Sequence, residues 1–226
     1  MIRKTITLAC FFFLGCTTTG VLEDPLSTDD IIKGLKEALN VGSINSVVAV
    51  NKLDGYFGNP LLKIPFPPEV ANVETTLRSV GLGNLVDNAV LAINRAAEDA
   101  AIKAKPIFLN AITNMAFDDA LKILKGDTIA ATTYLKTKTF TDLTTAFKPS
   151  IQSSLDKVDA TKYWSDLTTA YNKIPFVKPV STDLAAYVTG KALDGLFLLV
   201  SKEEVKIRKD PVARVSDILR KVFAKQ

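Results

Sequence analysis

Residues 84–115, NLVDNAVLAINRAAEDAAIKAKPIFLNAITNM, carry small or apolar side chains at intervals of three and four. The stripe consists of Leu85, Ala89, Ile93, Ala96, Ala100, Ala104, Ile107, Ala111 and Met115. This spacing predicts a long amphipathic helix, because positions three or four apart share one helix face. Its many alanines would let a partner helix approach closely. Pro106 lies inside the pattern and predicts a kink.

The same helical spacing continues on both sides of this stretch. Upstream, Ser27 or Thr28 can cap a helix whose first turn holds Asp29 and Asp30. We expect this first helix to run to near Lys52. Further helices are expected at about 69–80, 117–125, 128–137, 137–147, 161–171, 182–209 and after Asp210-Pro211. The chain is therefore predicted to be all-α, with a single multi-helix, bundle-like domain at 28–226.

One segment, residues 53–68 with the sequence LDGYFGNPLLKIPFPP, interrupts the helical pattern. Its two glycines and four prolines rule out a helix. Yet the segment is too apolar for a mobile linker. The apolar side chains are Tyr56, Phe57, Leu61, Leu62, Ile64 and Phe66. We expect this Pro/Gly-rich segment to lie extended against the helices, to bury these side chains and to be the main irregular insertion.

The N-terminus has the order of a bacterial secretory signal that closes in a lipoprotein cleavage site. Arg3 and Lys4 precede a short apolar run, which ends in Leu-Gly immediately before Cys16. This order predicts a signal peptide at 1–15. Cys16 would then become the lipidated first residue of the mature protein, at the start of a lipidated tether at 16–27.

Two other interpretations of the N-terminus fit less well. A transmembrane helix needs about 20 apolar residues, and this run is far shorter. A soluble secreted protein needs a small residue where Phe13 stands. Lipidation of Cys16 predicts a periplasmic protein with a membrane as its partner. Because Thr17, and not an Asp, follows the cysteine, the outer membrane is favoured.

Composition narrows the range of possible functions. The chain contains 28 Lys and Arg, 24 Asp and Glu, and no histidine. The basic residues form no run of the kind that binds nucleic acid, so we expect no nucleic-acid partner. Without histidine, the chain lacks the imidazole base of Ser-His-Asp and Cys-His nucleophile systems. Removal of the signal peptide with Cys10 and lipidation of Cys16 would also leave no free thiol for zinc. We expect no cofactor.

Several short segments point together to one family. They are DGYFGNP at 54–60, NRAAE at 94–98, KAKPIF at 103–108, YNKIPFV at 171–177 and ALDGLF at 192–197. In this order they resemble a bacterial envelope family catalogued as domain of unknown function 4197, over about residues 26–224. The resemblance implies an exported protein or lipoprotein. It implies no particular activity, cofactor or catalytic residue.

The candidate site combines the Pro/Gly-rich segment with charged residues of the following helix. Buried irregular segments often line clefts, which motivates a non-catalytic module that binds an envelope protein or a small ligand. The candidate binding residues are Tyr56, Phe57, Asn59, Arg95, Glu98 and Lys105. Arg95 and Glu98 are three apart, so they can pair and fix the turn at 54–60. Alternatively, the aromatic side chains only plug the end of the bundle.

Two further functions remain open at this point. Glu98 and Asp99 with Lys103 and Lys105 could serve an envelope enzyme that uses carboxylates and lysines. Adjacent helix positions point about 100° apart, so the two carboxylates would not easily face one substrate. A helical carrier of lipids or other apolar ligands is the second alternative. The alanine stripe argues against it, since small residues favour tight helix contact over a cavity.

Overall fold

Helices account for the regular structure in the computed structural model, which describes residues 27–224 except 174 and 177–178. Within these ranges no strand is present, which confirms the all-α prediction. The helices are α1 (Thr28–Val50), α2 (Ala71–Ser79), α3 (Gly83–Ala101), α4 (Ala104–Thr113), α5 (Phe117–Lys125), α6 (Ala130–Asp156), α7 (Ala160–Tyr171), α8 (Leu184–Lys209) and α9 (Asp217–Phe223). The predicted signal peptide, Cys16 and nearly all of the predicted tether lie outside the described residues.

The start of α1 follows the sequence prediction closely. The Ser27 hydroxyl accepts a hydrogen bond from the backbone N–H of Asp30, and the Asp30 carboxylate accepts one from the backbone N–H of Ser27. This reciprocal pair is a capping box, which satisfies two backbone donors at the helix start. Lys221 of α9 also donates to Asp30, so the capped end of α1 is tied to the last helix.

Helix α8 lies at the centre of the domain, between α1 and α6, and also contacts α3. Thirteen of its residues are buried, and its start is capped by Asp183. By length and composition α8 could cross a membrane, but 56% of its most apolar window is buried inside the domain. It therefore occupies the position of a core helix.

The predicted long helix at 84–115 is instead two helices, α3 and α4, separated by Ile102 and Lys103. The break lies four residues before Pro106. Proline has no N–H to donate to the carbonyl at that position, and its ring collides with it. Only the first turns of the predicted stripe are displaced, because Leu85 is 60% exposed whereas Val86 and Val90 are buried. Ile93, Ala96, Ala100 and Ala104 are buried as predicted. The proline was recognised correctly, but its effect is a break and not a kink.

Two other helix predictions were wrong. The helices expected at 128–137 and 137–147 are one continuous helix, α6, which accommodates Pro149 in its interior. At the C-terminus, Asp210 caps only a short 3₁₀ turn at Pro211–Ala213. The last α-helix, α9, begins later and is capped by Ser216.

The Pro/Gly-rich segment is irregular, as predicted, but only part of it is extended. Residues 51–62 form successive turns, and residues 63–67 are extended before a 3₁₀ turn at Pro68–Val70. Tyr56, Leu62 and Ile64 are buried in the core, whereas Leu61 is exposed. The segment thus buries much of its apolar surface by folding into turns at the end of α1.

Candidate functional site

A buried carboxylate holds the turn of the Pro/Gly-rich segment against α3. Glu98 Oε1 accepts hydrogen bonds from the backbone N–H groups of Tyr56 (3.0 Å) and Phe57 (3.1 Å). Its other oxygen pairs with Arg95 at 2.5 Å, and Arg95 also pairs with Asp54 at 2.7 Å. The Glu98 side chain is only 5% exposed. We call Asp54, Arg95 and Glu98 the Glu98 clamp.

Backbone geometry at the clamp explains why the turn carries these residue types. Asp54 has a φ of +63°, a left-handed conformation that Asp tolerates better than most residues. At Gly55, an added Cβ would lie 2.4 Å from the carbonyl oxygen of Val50. The chain can therefore turn tightly after α1 only with a glycine at this position.

Side-chain amides and a phenol hold the segment at further points. Asn94 accepts a hydrogen bond from the N–H of Ile64 and donates to its carbonyl oxygen, both at 2.8 Å. Asn51 donates to the carbonyl oxygen of Glu98 at 2.8 Å. Tyr187 donates to the carbonyl oxygen of Pro65 at 3.2 Å, and burial raises the pKa of this phenol to about 12. Together with the clamp, these bonds fix residues 51–65 on α3 and α8.

Tyr56 inserts into the centre of the domain. Its ring is fully buried, and its hydroxyl donates to the carbonyl oxygen of Ala192 in α8 at 2.7 Å. Burial raises the pKa of Tyr56, so the phenol stays a neutral donor at physiological pH. A Cβ at Gly195 would lie 2.9 Å from the ring. Gly195 thus permits a close approach of the ring, whereas no neighbour comes within 4 Å of the same point on Gly190.

The other candidate residues lie around the clamp or away from it. Phe57 is half-buried, with the Lys63 ammonium 4.3 Å and the Arg95 guanidinium 5.8 Å from its ring centre. Asn59 shapes the turn, since its side chain accepts from the N–H of Leu61. Lys105 is exposed on α4 and contacts none of these residues through a hydrogen bond or ion pair. The structure therefore brings together the aromatic residues, Arg95 and Glu98, but not Lys105.

The hydrogen bonds of Glu98 and Tyr56 indicate a structural role for these two residues. Both oxygens of Glu98 are occupied, and the phenol of Tyr56 points into the core and not toward solvent. These groups have the contacts expected of a structural anchor. Ligand binding by the six candidate residues stays a prediction. The surface beside the clamp is more accessible to a ligand than the clamp itself.

That neighbouring surface is an apolar groove, which we call the α2–α3–α7 groove. Its cavity volume is about 950 Å³. Phe66 and Val73 line one side, Ala89 and Ala92 of α3 form the floor, and Trp164 lies on the α7 side. Arg95 lines the groove as well as joining the clamp. Leu85, Val158 and Tyr163 at its edges are each more than half exposed.

The aromatic wall of the groove has a defined geometry. The rings of Phe66 and Trp164 stack with centroids 6.1 Å apart and an interplanar angle of 17°. Trp164 donates its indole N–H to the carbonyl oxygen of Ser181 at 3.0 Å, which fixes the ring. Sequence analysis missed this wall, because Trp164 and Phe66 are far apart in the chain. Trp164 is the only tryptophan in the sequence, which makes it a useful reporter.

A second depression adjoins the groove, with a volume of about 640 Å³. We call it the Lys63 pocket. It is lined by Phe57, Pro60, Lys63, Pro65, Phe66, Glu74, Arg78, Asp87 and Val90. Phe66 and Glu74 line both cavities, so the two meet along α2. Unlike the groove, this pocket presents several charged side chains.

Helix α2 borders both cavities and is weakly held. None of its residues is buried. Arg78 connects it to α3 through an ion pair with Asp87 at 2.8 Å, and Arg78 also pairs with Glu74 at 3.0 Å. Exposed ion pairs of this kind contribute about 0–1 kcal/mol. The cavities are therefore bounded by an element with few stabilising contacts.

The two adjacent carboxylates of α3 face different neighbours, as their spacing predicted. Glu98 points to the Pro/Gly-rich segment, whereas Asp99 accepts a hydrogen bond from Ser154 of α6 at 3.1 Å. They do not converge on one position. Among the described residues, no group of three or more His, Cys, Asp or Glu side chains is placed to hold a metal ion.

The fold and the site define an all-helical domain with a solvent-open apolar groove beside a fixed irregular segment. The chain belongs to the family described as Protein of unknown function (DUF4197), whose model matches residues 25–224. This confirms the resemblance seen in the sequence. Neither the curated proteins nor the solved structures include a significant match to this chain.

Proposed function

We propose that the protein is a non-catalytic binding protein of the bacterial cell envelope that holds the apolar part of a small ligand. The observation that carries this proposal is the α2–α3–α7 groove, an apolar cavity of about 950 Å³. Ligand sites in proteins occupy roughly 300–1,000 Å³ and are lined mainly by apolar and aromatic side chains. The groove has both the size and the lining of such a site.

The exposed apolar side chains around the groove support the same function. Leu85, Val158 and Tyr163 remain accessible to water at its edges. Contiguous exposed apolar surface on a folded domain marks a site of interaction, because water contact with it is unfavourable. A bound apolar group would remove this contact.

The Glu98 clamp gives the groove a fixed wall. Asn94 and Glu98 hold the Pro/Gly-rich segment on α3, and the segment in turn presents Phe66 to the groove. A preformed wall lowers the entropy lost on binding. The clamp residues thus serve the site by positioning it, whether or not they touch the ligand.

The proposed anchor precedes α1 in the sequence. Lipidated Cys16 would hold the protein to a membrane facing the periplasm, with the outer membrane favoured. Helix α1 has 23 residues, which at 1.5 Å per residue makes it about 34 Å long. The helix begins at Thr28, directly after the proposed tether, whereas its C-cap residue Asn51 donates a hydrogen bond to the backbone of the clamp residue Glu98. The last tether residue, Ser27, and the clamp therefore lie at opposite ends of α1.

Binding of N-phenyl-1-naphthylamine, a neutral apolar dye whose emission rises in apolar surroundings, tests this function. The dye should bind residues 27–226, and Ala92→Phe, which fills the groove floor, should weaken binding at least tenfold. Ala186→Phe is the matched control, because Ala186 is an exposed alanine of α8 that does not line the groove. Equal binding to both variants, or no binding to the unmodified domain, would contradict the proposal.

A further inference from the structure

We infer that residues 71–85 form a lid that closes over the α2–α3–α7 groove when an apolar ligand is bound. This inference rests on the proposed binding function and adds a conformational step at the same site. The lid, which we call the 71–85 flap, comprises α2, the turn after it and the start of α3. Its weak attachment to the core and the exposed apolar surface on both sides of the groove carry the inference.

The flap contributes no side chain to the core. None of the residues from 71 to 85 is buried, whereas Val70 before them and Val86 after them are 2% and 1% exposed. The flap is therefore fixed at its two ends and free between them. At nine residues, α2 is also too short to be stable as an isolated helix. Segments with so few buried contacts open at a low cost in free energy, as binding-site lids do.

Polar contacts add little to this attachment. Among the described residues, the side-chain bonds that leave the flap are those of Arg78 to Asp87, at 2.8 Å. Both side chains are largely exposed, so this ion pair contributes little to stability. The threonine and serine hydroxyls of the flap donate to carbonyl oxygens within the flap itself. The flap can therefore move without breaking a buried hydrogen bond.

The turn at the tip of the flap lies in open space. Gly81, which follows α2, has a φ of +83°, a left-handed conformation that glycine adopts without strain. No atom lies within 4 Å of the point where a Cβ would stand on Gly81. Val80 beside it is 63% exposed. No neighbouring element therefore blocks a movement of the tip.

Apolar side chains on both sides of the groove favour closure around a ligand. Val73 and Leu85 of the flap line the groove, as does Tyr163 of α7. Leu85 and Tyr163 are 60% and 66% exposed. Movement of the flap toward α7 over a bound apolar group would remove this surface from water, which is favourable. The ligand shifts the flap because it makes more contacts with the closed position than with the observed one.

Distances between spin labels on the flap and on α7, measured by electron–electron double resonance, test the closure. Residues 27–226 contain no cysteine, so only introduced cysteines are labelled. Thr76→Cys and Lys162→Cys, exposed on α2 and α7, form the flap pair. Saturating N-phenyl-1-naphthylamine should shorten their distance by more than about 2 Å, as in a loop rearrangement on binding. Lys162→Cys with Lys191→Cys, which is exposed on α8, is the control pair, and its distance should not change.

A cross-link that holds the flap in its observed position gives a second test. Arg78→Cys and Asp87→Cys, at positions whose native side chains pair, can be joined by a short bismaleimide. The cross-linked domain should bind the dye about tenfold more weakly than the same variant without the cross-link, because the flap cannot close. A tenfold loss corresponds to about 55 Å² of apolar contact.

The two tests separate failure of the lid from failure of the site. If the dye binds while the distance of the flap pair stays the same, the flap is not a lid and the groove remains a binding site. An unchanged affinity after cross-linking would overturn the lid in the same way. If the unmodified domain does not bind the dye at all, the proposed function is contradicted, and the lid with it.

Discussion

The ring of Tyr56 lies directly against the Cα of Gly195, so close that a Cβ at Gly195 would stand 2.9 Å from the ring carbon Cε1. The Tyr56 hydroxyl donates to the carbonyl oxygen of Ala192 one turn earlier in α8. A glycine in a helix interior costs about 1 kcal/mol relative to alanine. Here it provides the space through which the Pro/Gly-rich segment is anchored to the central helix.

Gly195→Ala should therefore destabilise the domain. The added methyl group must displace a fully buried ring, and overpacking of this kind costs about 1–3 kcal/mol, partly offset by better helix propensity. Gly190→Ala is the matched control in the same helix, since nothing lies within 4 Å of its added Cβ. It should stabilise by about 0.5–1 kcal/mol. Urea unfolding of both variants measures the difference, and equal midpoints would contradict this packing.

The buried clamp should be far more sensitive to loss of Glu98 than to loss of its partners. Glu98→Ala leaves two N–H groups without acceptors and should cost about 3–5 kcal/mol. Arg95→Ala removes one charged hydrogen-bond partner and should cost less, about 1.5–3 kcal/mol. Asp54→Asn tolerates the left-handed backbone and should cost under about 1 kcal/mol, because the pair is half exposed. If Glu98→Ala leaves the free energy of unfolding in urea almost unchanged, the clamp does not stabilise the fold as described.

Local signals predicted some features of the fold correctly. The Ser27 capping signal and the irregular 53–68 segment depend on propensity and turn chemistry, and both are present. Pro149 does not end α6, although proline disfavours a helix interior. The packing of buried side chains on either side of it, such as Phe147 and Ile151, outweighs that local cost.

The candidate site was predictable only in part. Arg95 and Glu98 share a helix face, so their pairing follows from spacing. The groove depends on where α2 and α7 lie relative to α3, which is set by tertiary packing and leaves no periodic signal. The stacking of Trp164 on Phe66 in the groove wall could therefore not be predicted from the sequence.

The start of α8 should contribute stability that depends on pH. Asp183 accepts from the ammonium of Lys148 and from the N–H of Ala186, and these bonds lower its pKa below the ordinary 3.8. Because the native pKa is the lower one, the ionised form stabilises the fold. This contribution is complete above about pH 4 and is lost as the pH falls through the native pKa.

Comparison with Asp183→Asn isolates this charge, since Asn keeps an acceptor for the cap. The variant should be less stable than the unmodified domain near neutral pH by at most about 1 kcal/mol, because the pair is partly exposed. The two free energies of unfolding should converge toward pH 2. A constant difference across this range would show that the ion pair does not act through the charge of Asp183.

The proposed membrane anchor makes a separate prediction. Cys16→Ser should prevent lipid attachment, because it removes the thiol to which the lipid would be attached, and should leave unprocessed precursor or release the protein from the membrane fraction. Mass spectrometry of the protein and membrane fractionation measure both effects. Cys10→Ser is the control, since Cys10 lies within the proposed signal peptide. A Cys16→Ser protein that fractionates and migrates like the unmodified one would contradict lipidation.

A crystal structure of residues 27–226 with bound 9,10-dibromostearate would show whether the α2–α3–α7 groove holds an apolar chain, because bromine atoms can be located by their anomalous scattering. Bromine peaks are expected between α3 and α7, beside Trp164. Bromine found only at lattice contacts, with the α2–α3–α7 groove empty at saturating ligand, would contradict this expectation.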